Sequence, residues 1–247
     1  MKHTATTLNT NLKSLLFILF GFIVLCSIPA LAALTGWRWQ PGIAPAITYF
    51  LYLVSLSANA LTALLLISLI VWRLKLNRQK CLLLLTIIAV VFLCSLGIKS
   101  KIKNLTEEPR PFAVWATENN ISTKKQNTKA LLMPKRFVTQ NAFTQHGIEP
   151  WQQTYWANSS KYSFPSGHSL FAAIMALLAI TLLWQQKSWA VIAAIMLWSC
   201  LVETSRLALG MHWPVDIAAS CAIGATLIAI GTFAWNKWVF VSSAKTP

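Results

Sequence analysis

Six apolar stretches, each close to the length that crosses a bilayer as a helix, set the limits on what this chain can fold into. They run over Leu12–Leu34, Ala44–Trp72, Cys81–Ile98, Gly167–Trp184, Trp189–Leu209 and Val215–Val241, against the roughly 20 residues a transmembrane helix needs. The second is long enough to tilt or to begin in the interface. Composition agrees, with 56% hydrophobic and 11% charged residues, where a soluble domain carries roughly a quarter charged residues. The expected fold is all-α: a polytopic membrane bundle of six transmembrane helices, one domain over residues 1–247. A polar, extracytoplasmic and partly helical insert of about residues 99–166 separates the third and fourth helices.

Lys2 and Lys13, followed by an apolar run ending in Ala30-Leu31-Ala32, have the look of a secretory signal. The run exceeds the roughly 7–15 residues of a signal core, so a retained helix is expected. Charge then gives orientation. Lys2, Lys13, Arg73, Lys75, Arg78, Lys80, Lys187, Lys237 and Lys245 fall on one side of an even-numbered topology, whereas the short loops opposite hold only Arg38 and Arg206. Positive residues stay inside, which places both termini in the cytoplasm and the insert outside. All three polar clusters described below then meet at the outer face.

The net charge of +15 is spread among loops and forms no dense stripe on a soluble module. Nucleic acid is therefore a poor partner, and anionic lipid head groups a good one. Cys26, Cys81, Cys94, Cys200 and Cys221 all lie within or beside apolar spans, without a CxxC pair. They give neither a disulfide framework nor a zinc pattern and read as small buried apolar residues. The insert carries Trp115, Phe137, Phe143, Trp151, Tyr155 and Trp156 before Lys161, too aromatic for a disordered linker. Two readings stand equal: helices lying in the membrane interface, or a loop whose rings pack on the bundle.

Three clusters carry chemistry. Lys99 and Lys103 share a helix face at the end of the third span, and Pro109 and Pro111 hold Arg110 extended. A lysine and an arginine at a fixed separation can clamp a phosphate; taken alone, they read first as a basic interfacial collar. In Phe164-Pro165-Ser166-Gly167-His168, Ser166 sits where a helix cap belongs and Gly167 permits close backbone approach. A helix start is an anion site, and capping leaves His168 unexplained. Ser205-Arg206 ends the fifth span. In His212-Trp213-Pro214-Val215-Asp216, Pro214 suits the first helical position and makes Trp213 the cap. Asp216 can then cap the helix or orient His212 one turn away as a nucleophile. For that pair alone the two readings are balanced.

Lys103, six residues, Arg110-Pro111, then Pro165-Ser166-Gly167-His168, then Ser205-Arg206, five residues, His212, three residues, Asp216 resembles the three-part signature of the type 2 phosphatidic acid phosphatase family. Gly36-Trp37-Arg38-Trp39-Gln40-Pro41-Gly42 and Leu209-Gly210-Met211-His212-Trp213-Pro214 are similar to strings of its bacterial phosphatidylglycerophosphatase-type members. The resemblance implies a hydrolase in a bacterial inner membrane. His212 would be the nucleophile, forming a phosphohistidine, with Asp216 orienting it and His168 as general acid and base. Lys103, Arg110, Ser166, Gly167 and Arg206 would bind phosphate, with Ser205 supporting. Phosphatidylglycerophosphate, phosphatidic acid and its lyso form, diacylglycerol pyrophosphate and undecaprenyl diphosphate are the implied substrates. Phosphoryl transfer needs positioning and charge stabilisation; three cations can supply both, and no carboxylate cluster suited to magnesium stands beside them. No cofactor is expected. A phosphotransferase using the same phosphohistidine, or a non-catalytic lipid-binding bundle, are the alternatives. Outside the signature, Glu203 is expected to pair with Arg206 or a lysine of the third span, and to support Arg206.

Overall fold

The computed structural model describes residues 2–119, 121, 140–160 and 162–243. Phe137, Lys161 and Lys245 lie outside them. The described residues form ten helices and no strand: α1 Lys2–Leu34, α2 Pro45–Leu56, α3 Ala60–Leu74, α4 Arg78–Thr106, α5 Pro111–Glu118, α6 Gln140–Gln145, α7 Pro150–Ala157, α8 Gly167–Leu183, α9 Trp189–Ala208 and α10 Pro214–Ser243. Proline opens α2, α5, α7 and α10, where its missing N–H costs nothing and its fixed φ is already helical.

Four helices are long and apolar enough to cross a membrane, and five if α2 and α3 count as one span. The second apolar stretch is therefore not one tilted helix. It breaks between α2 and α3 with a bend of 66°. Asn59 is the cause: its Oδ1 accepts Thr62 N at 3.1 Å and so starts α3, while its Nδ2 donates to Leu56 O at 2.8 Å and closes α2. Trp198 Nε1 donates to Ser57 Oγ at 2.8 Å, which pins the break against α9. Helix α8, at 17 residues, is apolar but shorter than any of the four full-length spans.

Helix α8 is apolar on every face, which suits a helix enclosed by others. Nearly every side chain from Ser169 to Leu183 is buried, against α1, α3, α9 and α10. Helix α1 belongs to the same core, with Ile18, Leu25 and Ala32 packed into it. Small residues allow close approach: a Cβ on Gly224 of α10 would stand 3.4 Å from that of Ala173 in α8.

A second, aromatic core lies at one end of the bundle and gathers α5, α6, α7 and the α1–α2 loop. Phe112 stacks on Trp156 at 4.4 Å between centroids, and Trp39 meets Trp115 and Trp156 edge-on, each at 5.4 Å. Of the two readings of the insert aromatics, packing describes Trp115, Phe143 and Trp156, which are buried. Two of these indoles find a partner for the N–H, as buried tryptophans usually do: Trp39 Nε1 donates to Ala208 O at 2.9 Å and Trp156 Nε1 to Leu209 O at 2.8 Å. These bonds fasten the aromatic layer to the turn that leaves α9.

Candidate active site

That turn is built around Gly210, whose φ of +67 lies in the left-handed region that favours glycine. A Cβ there would lie 2.8 Å from the Trp39 ring. The two short strings noted in the sequence, one around Trp39 and one around Gly210, are thus in contact. Arg206 O accepts the N–H groups of both Met211 and His212, at 3.0 and 3.2 Å. His212 is held by backbone before its side chain makes any contact.

Its side chain is held as firmly. Asp216, in the first turn of α10, accepts His212 Nδ1 at 3.1 Å on Oδ2, and the same oxygen accepts Trp213 N at 3.0 Å. Capping and orienting, balanced alternatives on sequence, are both done by one carboxylate oxygen. With Nδ1 carrying the shared proton, Nε2 keeps its lone pair. It faces Arg110 Nη1 at 3.5 Å. His212 is only 2% exposed, and its pKa lies well below the ordinary 6.5. Burial is the main cause, followed by the charges of Arg110, Arg206 and Lys103.

The cations come from three helix ends. Lys103, in the last turn of α4, donates to Tyr162 O at 2.7 Å and to Ser160 Oγ at 3.0 Å. Arg110 precedes Pro111 in the extended conformation, φ −81 and ψ 149, and is 3% exposed. It donates to Met211 O at 2.6 Å and Ser160 O at 2.9 Å. Arg206, near the end of α9, donates through Nη1 to Tyr155 Oη at 2.6 Å and to Ser55 Oγ. Ser166 caps α8 by accepting Ser169 N at 3.3 Å, and its own N–H reaches Asp216 O at 3.4 Å. The starts of α8 and α10 are therefore side by side, and their dipoles favour an anion between them.

Lys103, Arg110, Gly167, His168, Arg206 and His212 all line one cavity of about 1090 Å³. Ser166 and Asp216 are buried beside it. Ser205 turns away, its Oγ donating to Val202 O of its own helix at 2.6 Å. The expected partner of Glu203 is not found. Its Oε1 accepts the Cys221 thiol at 3.2 Å, and it makes no ion pair among the described residues. Arg206 extends toward Tyr155 and Ser55 of the aromatic end, while Glu203, one turn deeper, turns to α10.

Five further residues at the site went unassigned in the sequence. Ser55 and Tyr155 position Arg206, and Ser160 and Tyr162 hold Lys103. Lys99 lines the cavity, its Nζ 3.4 Å from where a Cβ on Gly167 would be. Only Lys99 left a signal, sharing a helical face with Lys103. The others act through partners about 50 or more residues away in the chain, which spacing does not reveal.

Comparison with known proteins places the chain in a family. Residues 79–240 match the PAP2 superfamily. Phosphatidylglycerophosphatase B of Escherichia coli (strain K12) is 32% identical over 218 residues, covering 86% of this chain and 86% of that protein. The protein of the same name from Haemophilus influenzae is 31% identical over 208 residues, 78% of this chain and 84% of its own. Undecaprenyl-diphosphatase of Sulfolobus acidocaldarius is 41% identical over 63 residues, 26% of this chain and 29% of that protein.

Proposed function

The chain belongs to the PAP2 superfamily and is a membrane lipid phosphatase, and from that premise we propose that His212 carries the phosphoryl group as a phosphohistidine between lipid and water. One observation carries the proposal: Asp216 Oδ2 lies 3.1 Å from His212 Nδ1, which favours the tautomer that leaves the Nε2 lone pair free toward the cations at the cavity wall. The Nε2 lone pair attacks phosphorus and the bond to the lipid oxygen breaks. The departing alkoxide, or phosphate of a diphosphate, takes a proton from His168. A water then attacks the phosphohistidine, giving its proton to His168, and the P–N bond breaks to release phosphate. Lys103, Arg110 and Arg206 offset the charge on the equatorial oxygens throughout.

The substrates proposed are phosphatidylglycerophosphate, phosphatidic acid and its lyso form, diacylglycerol pyrophosphate and undecaprenyl diphosphate. The cavity supports a lipid: beyond the cations its wall is Ala63, Leu64 and Ile67 of α3, Phe92 and Leu96 of α4, and Phe171 of α8. Acyl or prenyl chains would enter between these helices. Counting the bent pair and α8, the chain would cross a bacterial inner membrane six times with both termini inside and the site on the outer face. The positive residues support that orientation. Arg73 Nη2 donates to Ser188 Oγ at 2.9 Å, which joins the basic α3–α4 loop to the Lys187 turn at one end of the bundle.

The test is phosphate release by the purified protein and by His212→Ala over a panel including phosphatidylglycerophosphate and undecaprenyl diphosphate. The wild-type protein should yield an acid-labile labelled phosphoprotein that the variant lacks. Equal turnover by both would rule the mechanism out, and the order of rates names the preferred lipid.

A further inference from the structure

Ser160 belongs to no signature string and to no helix. It sits in the linker between α7 and α8, on the wall of the cavity that also holds Lys103, Arg110, His168 and His212. Its Oγ is 2.8 Å from Arg110 Nη2 and 3.0 Å from Lys103 Nζ. Guanidinium and ammonium groups can only donate. Both lone pairs of the hydroxyl oxygen are therefore taken, and the remaining tetrahedral direction, away from both cations, belongs to the Ser160 proton. No acceptor among the described residues takes it. Two charged donors on one oxygen also polarise the O–H bond and make it a stronger donor.

The cations around it have little left to give. Arg110 spends Nε on Ser160 O and one Nη2 hydrogen on Ser160 Oγ, and its Nη1 lies against Met211 O and His212. Lys103 spends two of its three hydrogens on Ser160 Oγ and Tyr162 O. One N–H on Arg110 Nη2, one on Lys103 and the Ser160 O–H remain as donors in the same corner of the cavity.

We propose that Ser160 is a further phosphate-binding residue, whose hydroxyl donates to an oxygen of the transferring phosphoryl group while Arg110 and Lys103 fix its oxygen from behind. The inference rests on the phosphatase reading of this site. It adds a neutral donor to the three cations, and makes the linker before Pro165 part of the phosphate cradle as well as its tether.

The experiment uses the full chain in detergent, with orthovanadate as the phosphate-like probe, read by inhibition and by thermal shift. Ser160→Ala should raise the inhibition constant and the KM for lipid phosphate about tenfold, the scale of one hydrogen bond to a charged group. The melting midpoint without ligand should stay at the wild-type value. Ser160→Thr, which keeps the hydroxyl, should stay within about threefold of wild type on the same hydrogen-bond argument. Wild-type constants in Ser160→Ala, or equal losses in the Ala and Thr variants, would overturn the proposal. A role confined to holding Arg110 predicts that Ser160→Ala no longer weakens vanadate binding once Arg110 is alanine; direct contact predicts a further loss, and its absence would overturn the proposal. Lack of phosphate release by the wild-type protein would bring down the underlying reading together with this one, and is distinguished by being independent of residue 160.

Discussion

His212 and Asp216 are joined through a single carboxylate oxygen, Oδ2, which accepts the imidazole Nδ1 at 3.1 Å and the Trp213 amide at 3.0 Å. The bond that orients the nucleophile is therefore inseparable from the bond that starts α10. Asp216→Asn should reduce turnover about 100-fold or more, because an amide does not select the imidazole tautomer as a carboxylate does. Stability should fall by only about 1 kcal/mol, the scale of a weakened helix cap. Turnover assays paired with thermal unfolding measure the two effects separately.

Gly210 tests the contact between the aromatic layer and the nucleophile. A side chain at φ +67, 2.8 Å from the Trp39 ring, is strained and crowded at once. Gly210→Ala should lose about 1–3 kcal/mol from the backbone alone. It should also lower kcat, since Met211 and His212 follow directly. Thermal unfolding and steady-state kinetics check both.

Tyr155→Phe keeps the ring, which lies 5.8 Å from the Arg206 guanidinium, and deletes the hydroxyl that accepts Nη1 at 2.6 Å. We expect a rise in KM of about tenfold, from one lost hydrogen bond to a charged group, with a smaller change in kcat. An effect on melting temperature without one on KM would assign Tyr155 to packing.

His212 should stay neutral well into acid. Its folded pKa is held below 6.5 by burial and by the neighbouring cations, so the folded protein resists the proton that the unfolded chain accepts. The stability contribution of this residue is thus complete above about pH 6.5 and is lost as pH falls from there through the folded value. Labelled-histidine NMR, with His212→Ala for assignment, should show no imidazolium signal from His212 at pH 6.5. Chemical denaturation of the two proteins from pH 7 to 5 should show the wild type losing more stability.

The long apolar helices were legible because a bilayer imposes length and composition, and α1, α4, α9 and α10 follow the apolar stretches closely. The break at Asn59 was not, because one polar residue in an apolar run signals nothing until its amide is seen serving two helix ends. Lys103, Arg110, Gly167, His168, Arg206 and His212 do line one cavity, since each sits at a helix end that topology brings to the same place. Glu203 was misread from spacing on its own helix. Its hydrogen bond runs across to Cys221, a contact set by how α9 and α10 rotate against each other. Ser55, Tyr155 and Ser160 were out of reach for a similar reason: each acts through a side chain 50 or more residues away.

The enclosure of α8 has a consequence for how motion is shared in this molecule. Amides of a helix covered on all sides exchange only through the largest openings of a fold, whereas walls with one face uncovered open locally at low cost. Ser166 caps that covered helix, and Gly167 and His168 are its first residues, while α3 and α4 present Leu61, Leu65, Leu82 and Leu93 outward. A bulky chain can thus be admitted by breathing of the outer helices while the phosphate end of α8 keeps its position. Hydrogen exchange would then rank the cavity's two sides far apart, with slow amides along α8 and fast ones along the α2–α3 bend.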